Sequence, residues 1–504
     1  MSEKYIRKIL EANVYEVAEQ SNLDHAGILS RRLGTDVFLK REDQQSVFSF
    51  KLRGAYNKIS NLSDGEQSRG VITASAGNHA QGVALAARTL GVPATIVMGR
   101  NTPLIKINAV RSLGGKVVLA GDSYDEAAAH AAELSAAEQL TYVHPFDDPD
   151  VIAGQGTIGL ELLRQHTGPL EAVFIPVGGG GLISGVGTYI KYLRPDVEVI
   201  GVEAEGSAGM WAALAANRRV KLKAEELDQF ADGTAVRQVG KETFSLAKKC
   251  VDEVIRVSID EICAAIKDVF EDTRTICEPS GVLSVAGCKQ YLQRQDSTGP
   301  VVAILSGANM NFDRLRHVSE RTEIGEQREM LLGVTIPERP GSFRAFCRAI
   351  GKRSVTEFNY RLTPDSGARV LLGIQIAPGS DDREVIQEKL ASRYELVDLS
   401  DNEVAVLHIR HMVGGRVAGL ANERLFRVEF PERPGALGQF LDAMGAEFNI
   451  STFHYRNHGA ADGRVLIGLE VPTDELGEFK QRMLRTGYRH WEETNNPAYQ
   501  WFLR

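Results

Sequence analysis

Four short stretches of this sequence hold residues whose types and spacing could do chemistry. The first is Ser49-Phe50-Lys51-Leu52-Arg53-Gly54-Ala55. Lys51 follows the apolar run VFSF, and burial of its amine would disfavour the ammonium form, leaving a nucleophile able to condense with an aldehyde. A solvated surface lysine is the plain alternative. The second stretch is Ser75-Ala76-Gly77-Asn78-His79, directly after GVITA. Its small residues let the backbone approach a ligand, and Asn78 can donate and accept hydrogen bonds in one plane. An ordinary strand-to-helix turn capped by Asn78 is the alternative. The third is Gly178-Gly179-Gly180-Gly181-Leu182, between AVFIPV and LISGVGTYIKYL. Successive glycine N–H groups ahead of a helix N-terminus form a phosphate cradle. No G-x-G-x-x-G spacing starts within 178–181, and Gly115-Lys116 is followed by Val117, so neither a dinucleotide nor a nucleoside triphosphate loop is written here. The fourth is Ser306-Gly307-Ala308-Asn309, closing VVAILS. Parallel sheets bind ligands at the carboxyl ends of their strands, which puts Ser306 where a cofactor ring could sit. A plain turn serine is its alternative. Together an amine, an amide, a phosphate loop and a ring-nitrogen partner describe one cofactor, pyridoxal phosphate.

The elements that must position these residues show in the patterning. Up to about residue 320, β-rich runs alternate with alanine-rich helical stretches. The runs are GVITAS (70–75), PATIVM (93–98), GKVVLA (115–120), AVFIPV (172–177), EVIGVE (198–203) and VVAILS (301–306). Such alternation reads as parallel sheet with helices on both faces, and near-continuous apolar strands suit burial on both sides. Residues 313–330 are almost solid charge and read as a solvated helix between domains. An internal repeat follows. MLLGVTIPERPGSFRAF (330–346) aligns with RLFRVEFPERPGALGQF (424–440), EFNYR (357–361) with TFHYR (452–456), and ARVLLGIQI (368–376) with GRVLIGLEV (463–471). Pro340-Gly341 and Pro434-Gly435 punctuate the two copies. Each copy reads βαββαβ, the ferredoxin-like order, and a doubled unit of this kind is more often a paired binding module than a second active site. The predicted domains are 1–312 (catalytic), 313–329 (charged connector), 330–401 and 424–495 (the two copies).

Bulk composition narrows the function classes. At 504 residues three or four domains are expected, with 43% hydrophobic and 25% charged residues to build soluble cores. A net charge of -8 argues against sequence-independent nucleic-acid binding. Neither a targeting peptide nor a membrane span is read. Five cysteines, an odd number without a Cys-x-x-Cys pair, suit buried thiols in a reducing cytosol. The pairs His408/His411 and His454/His458 lack partners at zinc spacing, so no metal site is expected.

The motifs SFKLRG, SAGNHAQG, GGGGL and SGAN, in this order and spacing, resemble the serine/threonine dehydratases of pyridoxal-phosphate fold type II. The resemblance covers essentially all of residues 5–320 and, with the doubled module, the full chain. It points to the branch of that family that carries two ACT-like regulatory domains. It implies an α/β fold with parallel sheets, followed by two ferredoxin-like units. It also implies the elimination of water from L-threonine to give 2-oxobutanoate and ammonia, the first step of isoleucine biosynthesis. Lys51 would form the imine with the cofactor and later act as the base at Cα. Asn78 would bond the cofactor's phenolic oxygen, Gly178, Gly179, Gly180, Gly181 and Leu182 its phosphate, and Ser306 its pyridine nitrogen. Ser75 and Gly77 would cradle the substrate carboxylate. Either Ser75 or the cofactor phosphate would protonate the leaving hydroxyl. The doubled module would sense isoleucine and valine, and the family assembles as a cytoplasmic homotetramer. Tyr360 and Tyr455, equivalent in the repeat, are candidates to line effector pockets; half-exposed strand aromatics are the alternative. A serine-preferring dehydratase or racemase, a β-replacing synthase, and an amino-acid sensor with a dead catalytic half are the rival readings. Glu278 and Ser280, in Cys-Glu-Pro-Ser-Gly, either border the site or cap a helix.

Overall fold

The structure is a computed structural model. It describes residues 3–223, 227–294, 299–312, 314–325, 329–337, 339–351, 353–361, 368–376, 382–400, 402, 405, 409–412, 414, 417, 420, 422–431, 436–445, 447–456, 462–497 and 499. The chain forms two units, Met1–Gly325 and Glu326–Arg504.

The six apolar runs read from the sequence are all strands, but they divide between two sheets. One sheet has the order Leu23–His25, Val37–Arg41, Val301–Leu305, Ala172–Pro176, Glu198–Ala204, Glu253–Val257. It is parallel except for its first edge strand. The other has the order Lys116–Leu119, Ala94–Met98, Val71–Ala74, Thr141–Tyr142, all parallel. The central strands Val301–Leu305, Ala172–Pro176 and Val71–Ala74 are buried throughout, as their unbroken apolar sequence requires. Val37–Arg41 has no such signature. Its Lys40 and Arg41 are buried charges, which disguise a central strand as a surface one.

Lys40 belongs to the charge cluster that anchors the helix that begins with Lys51. Arg53, fully buried in helix Lys51–Ser60, bonds both oxygens of Glu42 at 2.8 Å and Glu161 at 2.6 and 3.1 Å. Lys40 completes a neutral cluster by bonding Glu161 at 2.7 Å. Glu161 lies in helix Pro149–Gln165, whose N-terminus is capped by Asp148 with Pro149 in the first turn. The two helices touch through backbone. A Cβ on Gly54 would lie 2.7 Å from the Val151 carbonyl oxygen, and one on Gly154 would lie 2.7 Å from that of Arg53. Small residues and an ion cluster together leave the Lys51 helix little freedom to shift.

The charged connector departs from expectation. It is a helix, Arg314–Gly325, within the first unit, and it is not solvated all round. Val318 and Thr322 are buried, the Thr322 hydroxyl is shared between the Val318 and Cys263 carbonyls, and Arg321 pairs with Asp260 at 3.0 Å. A few inward-facing residues suffice to dock a helix whose composition is otherwise charged.

In the second unit the two repeat copies form one continuous antiparallel sheet. Its order is Glu395–Asp398, Glu329–Ile336, Ala368–Gln375, Val355–Arg361, Asn449–Arg456, Asp462–Glu470, Glu423–Pro431, Arg489–Glu492. The joint is Val355–Arg361 against Asn449–Arg456, where Asn359 faces His454, Phe358 faces Tyr455 and Tyr360 faces Phe453. Asn359 faces its own repeat equivalent, His454, while Phe358 faces the equivalent of Tyr360 and Tyr360 the equivalent of Phe358, so a local twofold passes between Asn359 and His454. Tyr360 and Tyr455 are 5% and 4% exposed and belong to the shared core, which rules out the half-exposed alternative. Phe343, Phe358 and Phe453 interleave there, with Phe453 centred 5.0 Å from Phe343 and 5.5 Å from Phe358. Gly341, at φ 84°, starts helix Ser342–Ile350 in the first copy. Its counterpart Pro434-Gly435, together with His408 and His458, lies outside the described residues.

All five cysteines are buried and free. Among the described residues no helix is long and apolar enough to cross a membrane, and no group of three or more metal-ligating side chains occurs.

Candidate active site

The catalytic candidates of the first unit gather where strands end and helices begin. Lys51 opens its helix, and the residues before it are stitched to the loop after Val301–Leu305. Ser49 bridges Gly307, Phe50 N–H donates to the Ser306 carbonyl at 3.3 Å, and Ala308 N–H donates to that of Phe48 at 2.8 Å. The Lys51 ammonium donates to the Gly233 carbonyl at 3.3 Å. Burial pulls its pKa below the ordinary lysine range, against the opposing charges of Glu278 and Asp232.

Asn78 is the first residue of helix Asn78–Leu90 and does not cap it; Gly77 holds the cap position. Its amide is instead pinned at both ends. Nδ2 donates to Glu278 Oε1 at 2.6 Å, and Oδ1 accepts from Asn309 Nδ2 at 2.7 Å. Burial, reinforced by the charge of Asp232, pushes the Glu278 carboxyl up to about 7. Ser75, just upstream, accepts from Gly77 N–H at 3.3 Å, which leaves its hydroxyl proton available to a ligand. His79 is buried with Nε2 3.0 Å from the Val143 carbonyl oxygen, and burial holds it neutral, down to about 3.

The glycine run is short of room as well as flexible. A Cβ on Gly178 would lie 2.9 Å from the backbone of Thr234, and one on Gly179 would lie 2.2 Å from the Phe146 ring. Gly180 has φ 96° and occupies the cap position of the 13-residue helix Gly181–Leu193, with no side-chain cap. The first N–H groups of that helix are therefore left for a ligand. Thr243 Oγ1 donates to the Gly179 carbonyl at 2.7 Å and fixes the loop from behind. Asp147 holds Thr243's helix, Lys241–Cys250, by accepting from Lys241 and Glu242 N–H at 2.8 Å. Ser306 donates to the Ser280 carbonyl at 3.3 Å.

The structure therefore brings Lys51, Ser75, Gly77, Asn78, Gly178 to Leu182, and Ser306 into one connected region. Gly233 and Thr234 link the amine to the glycine run, and Glu278 links it to Asn78. This donor set fits pyridoxal phosphate: a buried amine for an aldehyde, a run of N–H groups at a helix start packed too closely against Phe146 and Thr234 to admit a Cβ, and an amide with a second N–H to offer. Sequence reading missed Asp232, Gly233 and Thr234, and Phe146 and Asp147 in His-Pro-Phe-Asp-Asp. The only local signal was an acidic pair ahead of a helix and a glycine in a polar loop. Glu278 borders the site, and its side chain caps no helix.

Tyr360 lies in the other unit. There it lines a small open cleft between the copies, with Arg339, Arg344, Phe343, Phe448 and Asn449. Tyr455 is buried in the same core.

Comparison with known proteins covers both units. Residues 16–307 match the family of pyridoxal-phosphate dependent enzymes. Residues 320–409 and 414–503 each match the C-terminal regulatory domain of threonine dehydratase. The chain is 52% identical to the biosynthetic L-threonine dehydratase of Burkholderia multivorans, covering 100% of this chain and 99% of that one. It is 51% identical to that of Escherichia coli, covering 99% and 97%. The solved structure of the processed form of threonine deaminase isoform 2 from Solanum lycopersicum superposes with a TM-score of 0.62 at 53% identity. That match covers 63% of this chain and 92% of the tomato chain.

Proposed function

The chain belongs to the threonine dehydratases, pyridoxal-phosphate-dependent lyases, and from that premise we propose how its own residues divide the work. The reaction eliminates water from L-threonine, and hydrolysis of the released enamine returns one water to give 2-oxobutanoate and ammonia. Pyridoxal phosphate, when bound, supplies the electron sink that lets the Cα proton leave. Lys51 Nζ would hold the cofactor and would take the Cα proton. Its lowered pKa favours the neutral amine that both tasks need. The N–H groups of Gly178 to Leu182 would hold the phosphate, Asn78 would bond the ring oxygen, and Ser306 would bond the ring nitrogen. Ser75 and Gly77 hold the substrate carboxylate. Ser75 Oγ accepts from Gly77 and so has its proton to donate, which supports it as the acid for the leaving hydroxyl. The observation that carries this assignment is that Lys51 bonds Gly233, Asn78 bonds Glu278 and Ser306 bonds Ser280, while the Thr234 and Ser280 hydroxyls, 3.3 Å apart, join the two segments that hold these partners.

The second unit is the regulatory half, and we assign its effector as isoleucine, with valine as a competitor for the same clefts. The cleft beside Tyr360 supports this reading: Arg339 offers charge for a carboxylate, Arg344 being paired with Asp442 at 2.7 Å, and Phe343, Phe448 and Ile450 offer apolar surface for a branched side chain. Tyr360 and Tyr455 are proposed to line the two effector sites. The full chain is taken as a cytoplasmic homotetramer, the state implied by family resemblance, and light scattering tests it.

The experiment is 2-oxobutanoate production from L-threonine and from L-serine, with and without L-isoleucine. The expected result is turnover of threonine that falls when isoleucine is added, and a Tyr360→Ala/Tyr455→Ala chain that needs about tenfold more isoleucine for the same fall. Unchanged inhibition in the double variant would remove the tyrosines from the effector sites. No turnover with pyridoxal phosphate supplied would sink the catalytic assignment.

A further inference from the structure

Glu278 is a buried carboxylate that the reaction as described does not use, yet it touches a residue that the reaction needs. We propose that Glu278 is a positioning residue: it fixes which way the Asn78 amide faces and supplies the negative charge that the Lys51 nitrogen works against. The inference rests on the reading of Lys51 and Asn78 as cofactor residues.

The hydrogen bonds around Asn78 run in one direction. Asn309 Nδ2 donates both to the Val47 carbonyl at 2.8 Å and to Asn78 Oδ1 at 2.7 Å, so Asn309 cannot turn round. Asn78 Nδ2 then donates to Glu278 Oε1 at 2.6 Å. With Asn309 fixed, Asn78 Oδ1 is committed as acceptor and Nδ2 as donor, and the charged form of Glu278, which only accepts, ends the chain of donors with one orientation allowed. One N–H of Asn78 is consumed by Glu278 and the second is left for the ring oxygen. A flipped amide would set Oδ1 against a carboxylate and present a second acceptor to that oxygen. Space enforces the contact too: a Cβ on Gly307 would lie 2.5 Å from Glu278 Oε1.

The charged groups facing Glu278 come from several elements. Lys51 opens its own helix, Lys106 comes from helix Leu104–Ser112, and Asp232 from the loop that carries Gly233. The Cys277 thiol adjoins it and is held protonated by burial. Lys106 is already paired with Asp232 at 3.0 Å, which leaves Lys51 as the cation that Glu278 chiefly faces. Its carboxyl, held near neutrality, responds to whether that nitrogen is charged. Loss of the Glu278 charge destabilises a protonated nitrogen at Lys51, so that nitrogen gives up its proton at lower pH.

Titrating the visible absorbance of the bound cofactor against pH tests this in the holoenzyme. Glu278→Gln keeps an acceptor for Asn78 and removes the charge; its spectral midpoint should fall by about one pH unit or more. Glu278→Asp keeps the charge but withdraws it from Asn78; its midpoint should stay within a few tenths while its cofactor dissociation constant rises about tenfold. A wild-type midpoint in Glu278→Gln overturns the proposal, and so does a Glu278→Asp variant that binds the cofactor as tightly as wild type. If the wild-type chain itself develops no visible band with pyridoxal phosphate, the reading of Lys51 and Asn78 fails first and is told apart from failure of the inference.

Discussion

At the scale of single residues, the site works by withholding water from groups that would otherwise be charged. Lys51 is lowered, Glu278 is raised, and His79 is held neutral, each chiefly by burial. The His79 case has a direct consequence for stability. Its folded pKa of about 3 lies below the ordinary 6.5, so between those values the unfolded chain binds a proton that the folded chain refuses. Stability is therefore complete above the unfolded value and drains away as pH falls towards about 3. The contribution is at most about 1.4 kcal/mol per pH unit. Urea unfolding followed by circular dichroism at pH 7, 6, 5 and 4 should show the slope. His79→Gln, which keeps a donor for the Val143 carbonyl, should flatten it by that amount. An identical slope in the variant would place the acid sensitivity elsewhere.

At the scale of elements, the helix that opens with Lys51 is held by charge as much as by apolar packing. Arg53 neutralises Glu42 and Glu161 where none of the three meets solvent. Arg53→Met leaves Lys40 alone to balance two buried carboxylates, at a cost of about 3–5 kcal/mol. Arg53→Lys keeps one charge but loses the fork that reaches both carboxylates, and should fall between. Chemical denaturation of the three chains should give that order. Cofactor affinity should follow it, because the same helix aims Lys51. If Arg53→Met is as stable as the parent, the cluster does not anchor the helix. The glycine loop follows the same logic of close fit: Phe146 and Thr234 occupy the space that any larger residue would need.

At the scale of the whole molecule, catalysis and regulation are written in separate compact units. The tomato structure matches 63% of this chain while using 92% of its own length. A chain ended after Gly325 should retain threonine turnover within a few-fold and lose its response to isoleucine. Measurement of both on the truncated chain checks this. Retained inhibition would move the effector site into the catalytic unit. Within the second unit the copies share one core, with Phe453 of one copy packed against Phe343 and Phe358 of the other. A ligand wedged between the copies would strain both, which gives the unit a physical means to respond as a whole.

The sequence by itself determined the family and the order of its motifs along the chain. Lys51, Asn78, Gly178 to Leu182 and Ser306 stood out as candidates through their combination, each at a loop by a strand end, where small and polar residues sit for reasons local to a few positions. The apolar strands and the repeat were legible for the same reason, since burial on both faces and turn punctuation leave a mark every few residues. What tertiary structure decided was every relation between distant positions. Asn78 and Glu278 lie 200 residues apart, and nothing near either one names the other. The division of six similar runs between two sheets, and the fusion of two repeats into one eight-stranded sheet, depend on which strand edges pair. Strand pairing is a competition among whole edges, and a local pattern records only that an edge exists. Buried charges in Val37–Arg41 and the packed face of Arg314–Gly325 went unread because their partners, Glu161 and Cys263 among them, come from elsewhere in the chain.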